Sequence, residues 1–139
     1  MSGHWIFKTD PAQYSFNNLM QDRKKTWKAV KNTIALKELR NLKQGDIIVI
    51  HHEGNEQQLV GTAEAVSDPY KNPDSEDPRS LVVDIKAIKK LTKAVPMWEI
   101  KSNPLLKNID LVNIPELNVD SIDSKMWEEI MILAKERVK

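Results

Sequence analysis

The sequence predicts an α+β fold: a small, mostly antiparallel sheet that curls toward a barrel, with helices at its periphery. Three observations lead there. The continuous β-branched run GDIIVIHH at residues 45–52, the alternating LVGTAEAV at 59–66 and the alternating LVVDIKAIKKL at 81–91 read as three consecutive strands. Helical periodicity falls before and after this block rather than between its members, which separates α+β from alternating α/β. A chain of 139 residues supplies one hydrophobic core, and a few antiparallel strands over such a core commonly close on themselves.

The elements follow in order. HWIFK at 4–8 is short, aromatic and β-branched, and it reads as a strand stopped by Asp10-Pro11. Ser15 is placed to cap a helical turn whose apolar positions are Phe16, Leu19 and Met20. In 26–32, TWKAVKN, only Trp27 and Val30 are large and apolar, too few for either periodicity, so an irregular segment is expected. Ile34, Leu36, Leu39 and Leu42 among charged residues mark an amphipathic helix, capped by Asn32 or Thr33 and ended by Gly45. EGNEQQ makes a hairpin loop, and Gly61 in the returning strand marks a bulge or a close backbone approach. Residues 67–80 carry three of the seven prolines and read as an extended surface loop. Pro96 opens a short helix, 105–119 is loop with one short strand, and 121–139 ends in a helix capped by Asp123 or Ser124. Its stripe is Met126, Trp127, Ile130, Leu133 and Ala134.

Composition excludes several functions. No cysteine is present, which removes thiol nucleophiles, dithiol redox chemistry and thiolate metal sites. A net charge of +1 argues against a module that grips nucleic acid chiefly through a broad basic surface. The longest apolar run is IIVI, far below the roughly 20 residues of a spanning helix, so no membrane passage is expected. Residues 1–3 lead straight into HWIFK without the parts of a signal peptide, and an intracellular, cytoplasmic protein is the expectation. No phosphate-cradling loop or nucleophile elbow occurs. His51 and His52 are neighbours on a strand and point to opposite faces, so they do not chelate together; no metal and no cofactor is expected. Half of the eight aromatic residues are tryptophan, and these hold the functional interest.

A collinear series of short runs carries a resemblance. It consists of Trp5, Phe7 and Lys8, then Asp10, Pro11, Tyr14, Ser15 and Phe16, then Trp27, Val30, Lys31 and Asn32. Lys43, Gly45 and Asp46 follow, then His52, Gly61, Ala63, Glu64, Pro78, Arg79, Val83 and Asp84. In this order and spacing the chain resembles the EVE domain, a PUA-like family related to YTH domains, over nearly its whole length as one domain. The resemblance implies a PUA-like, five- or six-stranded, mostly antiparallel barrel-like sheet with peripheral helices. It further implies a non-catalytic module that takes a methylated or hydroxymethylated base of DNA or RNA, single-stranded or flipped from its stack, into an aromatic pocket.

Stacking on an aromatic face is worth about 1–3 kcal/mol per base, enough to offset unstacking without a large basic surface. Carried over, the resemblance makes Trp27 the stacking wall, with Val30 beside it, and Asn32 the reader of the base edge. Lys8, Thr9 and Asp10 would form the lip, and His52 would close another side. His51, Glu53, Lys31, Arg79 and Trp98 are secondary candidates. The sequence departs from the family pattern where His51 replaces a tyrosine, Glu53 a serine, Lys31 an arginine and Ser80 a tryptophan. Two other readings stay open: an interaction domain that kept the fold and lost the pocket, and a small nucleotide-acting enzyme using His51, His52 and Glu53.

Overall fold

The structure is a computed structural model that describes residues 3–28, 37–114 and 117–136. Its strands are β1 (His4–Thr9), β2 (Lys24–Lys28), β3 (Ile47–His52), β4 (Gln58–Ala65), β5 (Tyr70–Lys71), β6 (Leu81–Pro96) and β7 (Val119–Ile122). The helices are α1 (Phe16–Asp22), α2 (Met97–Ser102), α3 (Asp110–Asn113) and α4 (Ser124–Leu133). All join one sheet or pack on it. The strand order is β2-β6-β4-β3-β1-β7, with β5 paired to β6. Every pair is antiparallel except β1 with β3.

The sheet is curled. β1 and β2 are four strand positions apart, about 19 Å across a flat sheet, yet the rings of Phe7 and Trp27 have centroids 5.9 Å apart. Their shared side is therefore the concave face. By register that face also carries Trp5, Ile48, Ile50, Ala63, Val83 and Ile85, all buried. Its fit to a PUA-like, mostly antiparallel barrel is as expected, with seven strands among the described residues rather than five or six.

Helices cover both sides. Ser15 caps α1 through a capping box with Asn18, and Phe16 and Leu19 are buried. Gly61 is where α1 meets β4: a Cβ there would enter the ring of Phe16, and the β4–β6 register shifts beside it, so both expectations for this glycine hold together. On the convex face, Trp127 of α4 stacks on His4 at 4.6 Å, and Ile130 is fully buried. Gly45 takes φ +96, conformationally open to glycine. The turn it makes points Asp46 inward, where the carboxylate accepts from Gly3 N–H at 2.8 Å, Trp5 Nε1 at 2.9 Å and Lys43 N–H at 3.0 Å.

Four expectations need correction. Of the segment 26–32 expected to be irregular, residues 26–28 belong to the edge strand β2, because pairing with β6 supplies what the single buried side chain, Trp27, cannot signal; the rest lies outside the described residues. Met20 is 41% exposed rather than on the packed stripe of α1. The third long strand does not stop at residue 91 but continues to Pro96, following β4 through two register shifts. Residues 105–119 contain the short helix α3, whose Leu111 N–H is held by buried Asp120 at 3.1 Å. Of the amphipathic helix expected over 34–42, residues 37–39 are helical and Leu39 and Leu42 are buried; its proposed caps lie outside the described residues.

Candidate base-binding site

Trp27 stands opposite Val83 on the concave face and is 8% exposed. Besides Phe7, its ring meets Tyr14 edge-on at 6.1 Å and 76°. The turn after β1 positions Tyr14. Asp10 organises that turn, its carboxylate accepting from Ala12 N–H at 2.9 Å and its carbonyl from Gln13 and Tyr14 N–H. Thr9 Oγ1 donates to the carbonyl of Tyr14 at 2.7 Å. The Tyr14 hydroxyl donates to Asp22 at 2.7 Å; burial and then that carboxylate push its pKa up, so it stays a donor. Lys25 Nζ lies 4.9 Å over the Tyr14 ring.

His52 shares this side of the sheet, being in register with Thr9. Both of its nitrogens are used. Nε2 accepts from Phe16 N–H at 2.9 Å, so Nδ1 carries the proton toward Glu56, 2.7 Å away. The carboxylate beside His52 is thus Glu56, not Glu53, and no lone pair of the imidazole is left to take a substrate proton. Glu53 instead extends the β1–β3 ladder through its N–H to the carbonyl of Thr9.

The remaining candidates separate. Thr9, Asp10, Trp27 and His52 gather around one turn and the start of α1, whereas Lys8 is in register with His51 on the convex face. His51 is fully buried, and neither ring nitrogen has a hydrogen-bond partner among the described residues. Burial, then the Lys8 charge and the neighbouring His52, lowers its pKa to about 4, so it is neutral near pH 7. Arg79 is exposed and forks onto Asp77 with two contacts of 3.2 Å. Trp98, on α2, is 69% exposed and covers little of the barrel. Ser80 accepts from Asn72 in the surface loop, by its hydroxyl and its carbonyl. Val30, Lys31 and Asn32 lie outside the described residues. Sequence reasoning assigned no role to Phe7 and Tyr14, the two aromatic neighbours of Trp27; Tyr14 was legible only as a matched letter in the series, because its contact with Trp27 is long-range.

Among the described residues no group of three potential ligands could hold a metal ion, and no helix is long and apolar enough to cross a membrane.

Chicken thymocyte nuclear protein 1 is 24% identical over 168 residues, spanning 96% of this chain and 69% of the chicken protein. Human THYN1, solved in complex with DNA containing 5-methylcytosine, superposes with a TM-score of 0.87 at 20% identity, covering 99% of this chain and 100% of that one. A protein of Agrobacterium tumefaciens superposes at 0.91 with 22% identity, over 97% and 94% of the two chains. The YTH domain of Zygosaccharomyces rouxii MRB1, solved with N6-methyladenosine RNA, is more distant at 0.57 and 16% identity, over 96% and 87%. The structural likenesses establish the fold, and the EVE domain family model matches residues 3–133: the chain belongs to the EVE domain family.

Proposed function

We propose that this chain is a non-catalytic binding module, acting as one domain, that recognises a modified base in DNA or RNA. The observation that carries the reading is the concave-face aromatic cluster of Trp27, Phe7 and Tyr14, seated on the turn of Thr9 and Asp10 within an EVE fold. Human THYN1 was solved with 5-methylcytosine DNA and the YTH domain with N6-methyladenosine RNA, which supports the same ligand class for this chain. A flipped base recovers its lost stacking on an aromatic face, and its methyl group gains apolar contact there. In this reading Trp27 stacks on the base, and Val30 and Asn32 keep the base-binding parts that the family resemblance implies, Asn32 as reader of the base edge. Thr9 and Asp10 shape the entrance, and His52 acts by holding α1 rather than by touching the base. Lys8 serves at the strand end, on the far side of β1 from Trp27.

The test is anisotropy titration of single-stranded oligonucleotides, with and without 5-methylcytosine or N6-methyladenosine, at stated salt. Trp27→Ala is expected to weaken binding of the preferred modified oligonucleotide by tenfold or more, roughly the 1–3 kcal/mol of one stacked base, while circular dichroism stays unchanged. No preference for any modified base, or equal affinity of the variant, overturns the assignment. The 8% exposure of Trp27 favours a second reading, an interaction domain that kept the fold without base binding, and those same negative outcomes would select it.

A further inference from the structure

β2 is an edge strand, KKTWK, that follows Arg23 directly, so Arg23, Lys24, Lys25 and Lys28 place four exposed cations within six residues. Their surroundings differ from those of three lysines on the neighbouring strand. On β6, each of Lys86, Lys89 and Lys93 has a carboxylate: Glu64 at 3.5 Å, Glu136 at 2.6 Å and Glu99 at 3.7 Å. On β2, Lys24 faces Lys86 directly across the ladder, a like-charge pairing that costs stability. Arg23 and Lys24 form no ion pair among the described residues, and Lys28 reaches Asp74 only at 3.8 Å, with both side chains largely in solvent. Asp22 and Asp84 bond hydroxyls rather than these cations and keep their charge, but the four cations outnumber them. Asp22 accepts from Tyr14, and Asp84 from Thr26 at 2.8 Å and Tyr70 at 2.9 Å. Lysines on an exposed edge do discourage strand pairing between molecules, but that role requires neither the uncompensated cluster nor its position. Lys25 points to the Trp27 side of the strand and Lys24 and Lys28 to the other, so the cations line both sides of the edge beside the aromatic cluster.

We propose that Arg23, Lys24, Lys25 and Lys28 form the phosphate-contacting strip for a nucleic-acid strand whose base enters at Trp27. The inference rests on the base-reading function above. From Lys24 to Lys28 the strand rises about 13 Å, long enough to follow a sugar–phosphate backbone past more than one phosphate. It also reconciles a chain of net charge +1 with a polyanionic partner, because the attraction is confined to one edge.

The experiment measures oligonucleotide affinity from 50 to 300 mM salt for the intact chain, the triple variant R23Q/K24Q/K28Q, the control K101Q/K107Q and W27A. The triple variant should lower the slope of log K against log salt by about 2, since each cation that neutralises a phosphate of a single strand adds about 0.7 to the slope. It should weaken modified and unmodified oligonucleotides by the same factor, leaving their ratio intact. W27A should do the reverse, collapsing the ratio while keeping the slope. A slope unchanged in the triple variant, or lowered equally by the control, overturns the strip even where the intact chain discriminates modified bases. If the intact chain binds without discriminating and the triple variant still has a reduced slope, the strip stands and the base-reading function fails. If the intact chain binds no oligonucleotide, both are overturned.

Discussion

The imidazole of His52 on β3 accepts the backbone N–H of Phe16, the first residue of α1, at 2.9 Å, and so ties the helix to the sheet 36 residues away. The bond serves a donor that no residue within the helix can satisfy. His52→Ala is therefore expected to cost about 1–3 kcal/mol and to loosen α1 with its Tyr14–Asp22 contact. Glu56→Gln, at an exposed site, should cost less than His52→Ala. Urea denaturation of the two variants checks the order.

Gly61 and Phe16 form a second tie. Since a Cβ on residue 61 would enter the ring, Gly61→Ala is expected to destabilise by about 1–3 kcal/mol through overpacking. The double variant Gly61→Ala/Phe16→Leu should be less destabilised than the sum of its single changes. A double-mutant cycle that proves additive would disconnect the two sites.

Two buried groups oppose each other in pH dependence. His51 has its pKa lowered by burial from 6.5 to about 4, so the unfolded chain binds the extra proton and stability is lost as pH falls through this window. Asp120 has its pKa raised by burial from 3.8 to about 6, so the folded chain holds the proton and stability is lost as pH rises from 3.8 to 6. The two slopes offset one another between pH 4 and 6. Asp120→Asn, which keeps an acceptor for Leu111 N–H, is expected to stabilise the chain at pH 7 by on the order of 2 kcal/mol and to leave a steeper loss on acidification. His51→Leu should flatten that acid loss. Denaturation midpoints between pH 4 and 7.5 decide both; an acid slope unchanged in His51→Leu would remove the histidine from the account.

Much of the fold was readable because its signals are local. The apolar run Ile47–Ile50 and the two histidines after it are buried along nearly the whole strand, and Ser15 and Asp123 cap helices through contacts of three residues' span. The edge strand β2 was not readable. Its burial pattern has one buried position in five, and what makes it a strand is a partner nearly 60 residues on. For the site, the series of short runs nominated Trp27 and the turn at Thr9 and Asp10, and Tyr14 links the two in the structure. It could not separate His52 from Lys8 and His51, because which neighbour across the ladder shares a face depends on register.

By itself the sequence determined the α+β class, the absence of thiol chemistry and the near-neutral charge, which composition and short-range periodicity carry directly, and its ordered series of short runs carried the resemblance to the family. The tertiary structure decided which tryptophan meets which ring, that His52 anchors a helix with both nitrogens engaged, and that the cations of residues 23–28 lie along the edge strand of the described sheet. Those outcomes depend on strand register and on the curl that brings Phe7 to Trp27, and both are set by contacts between residues far apart in the chain.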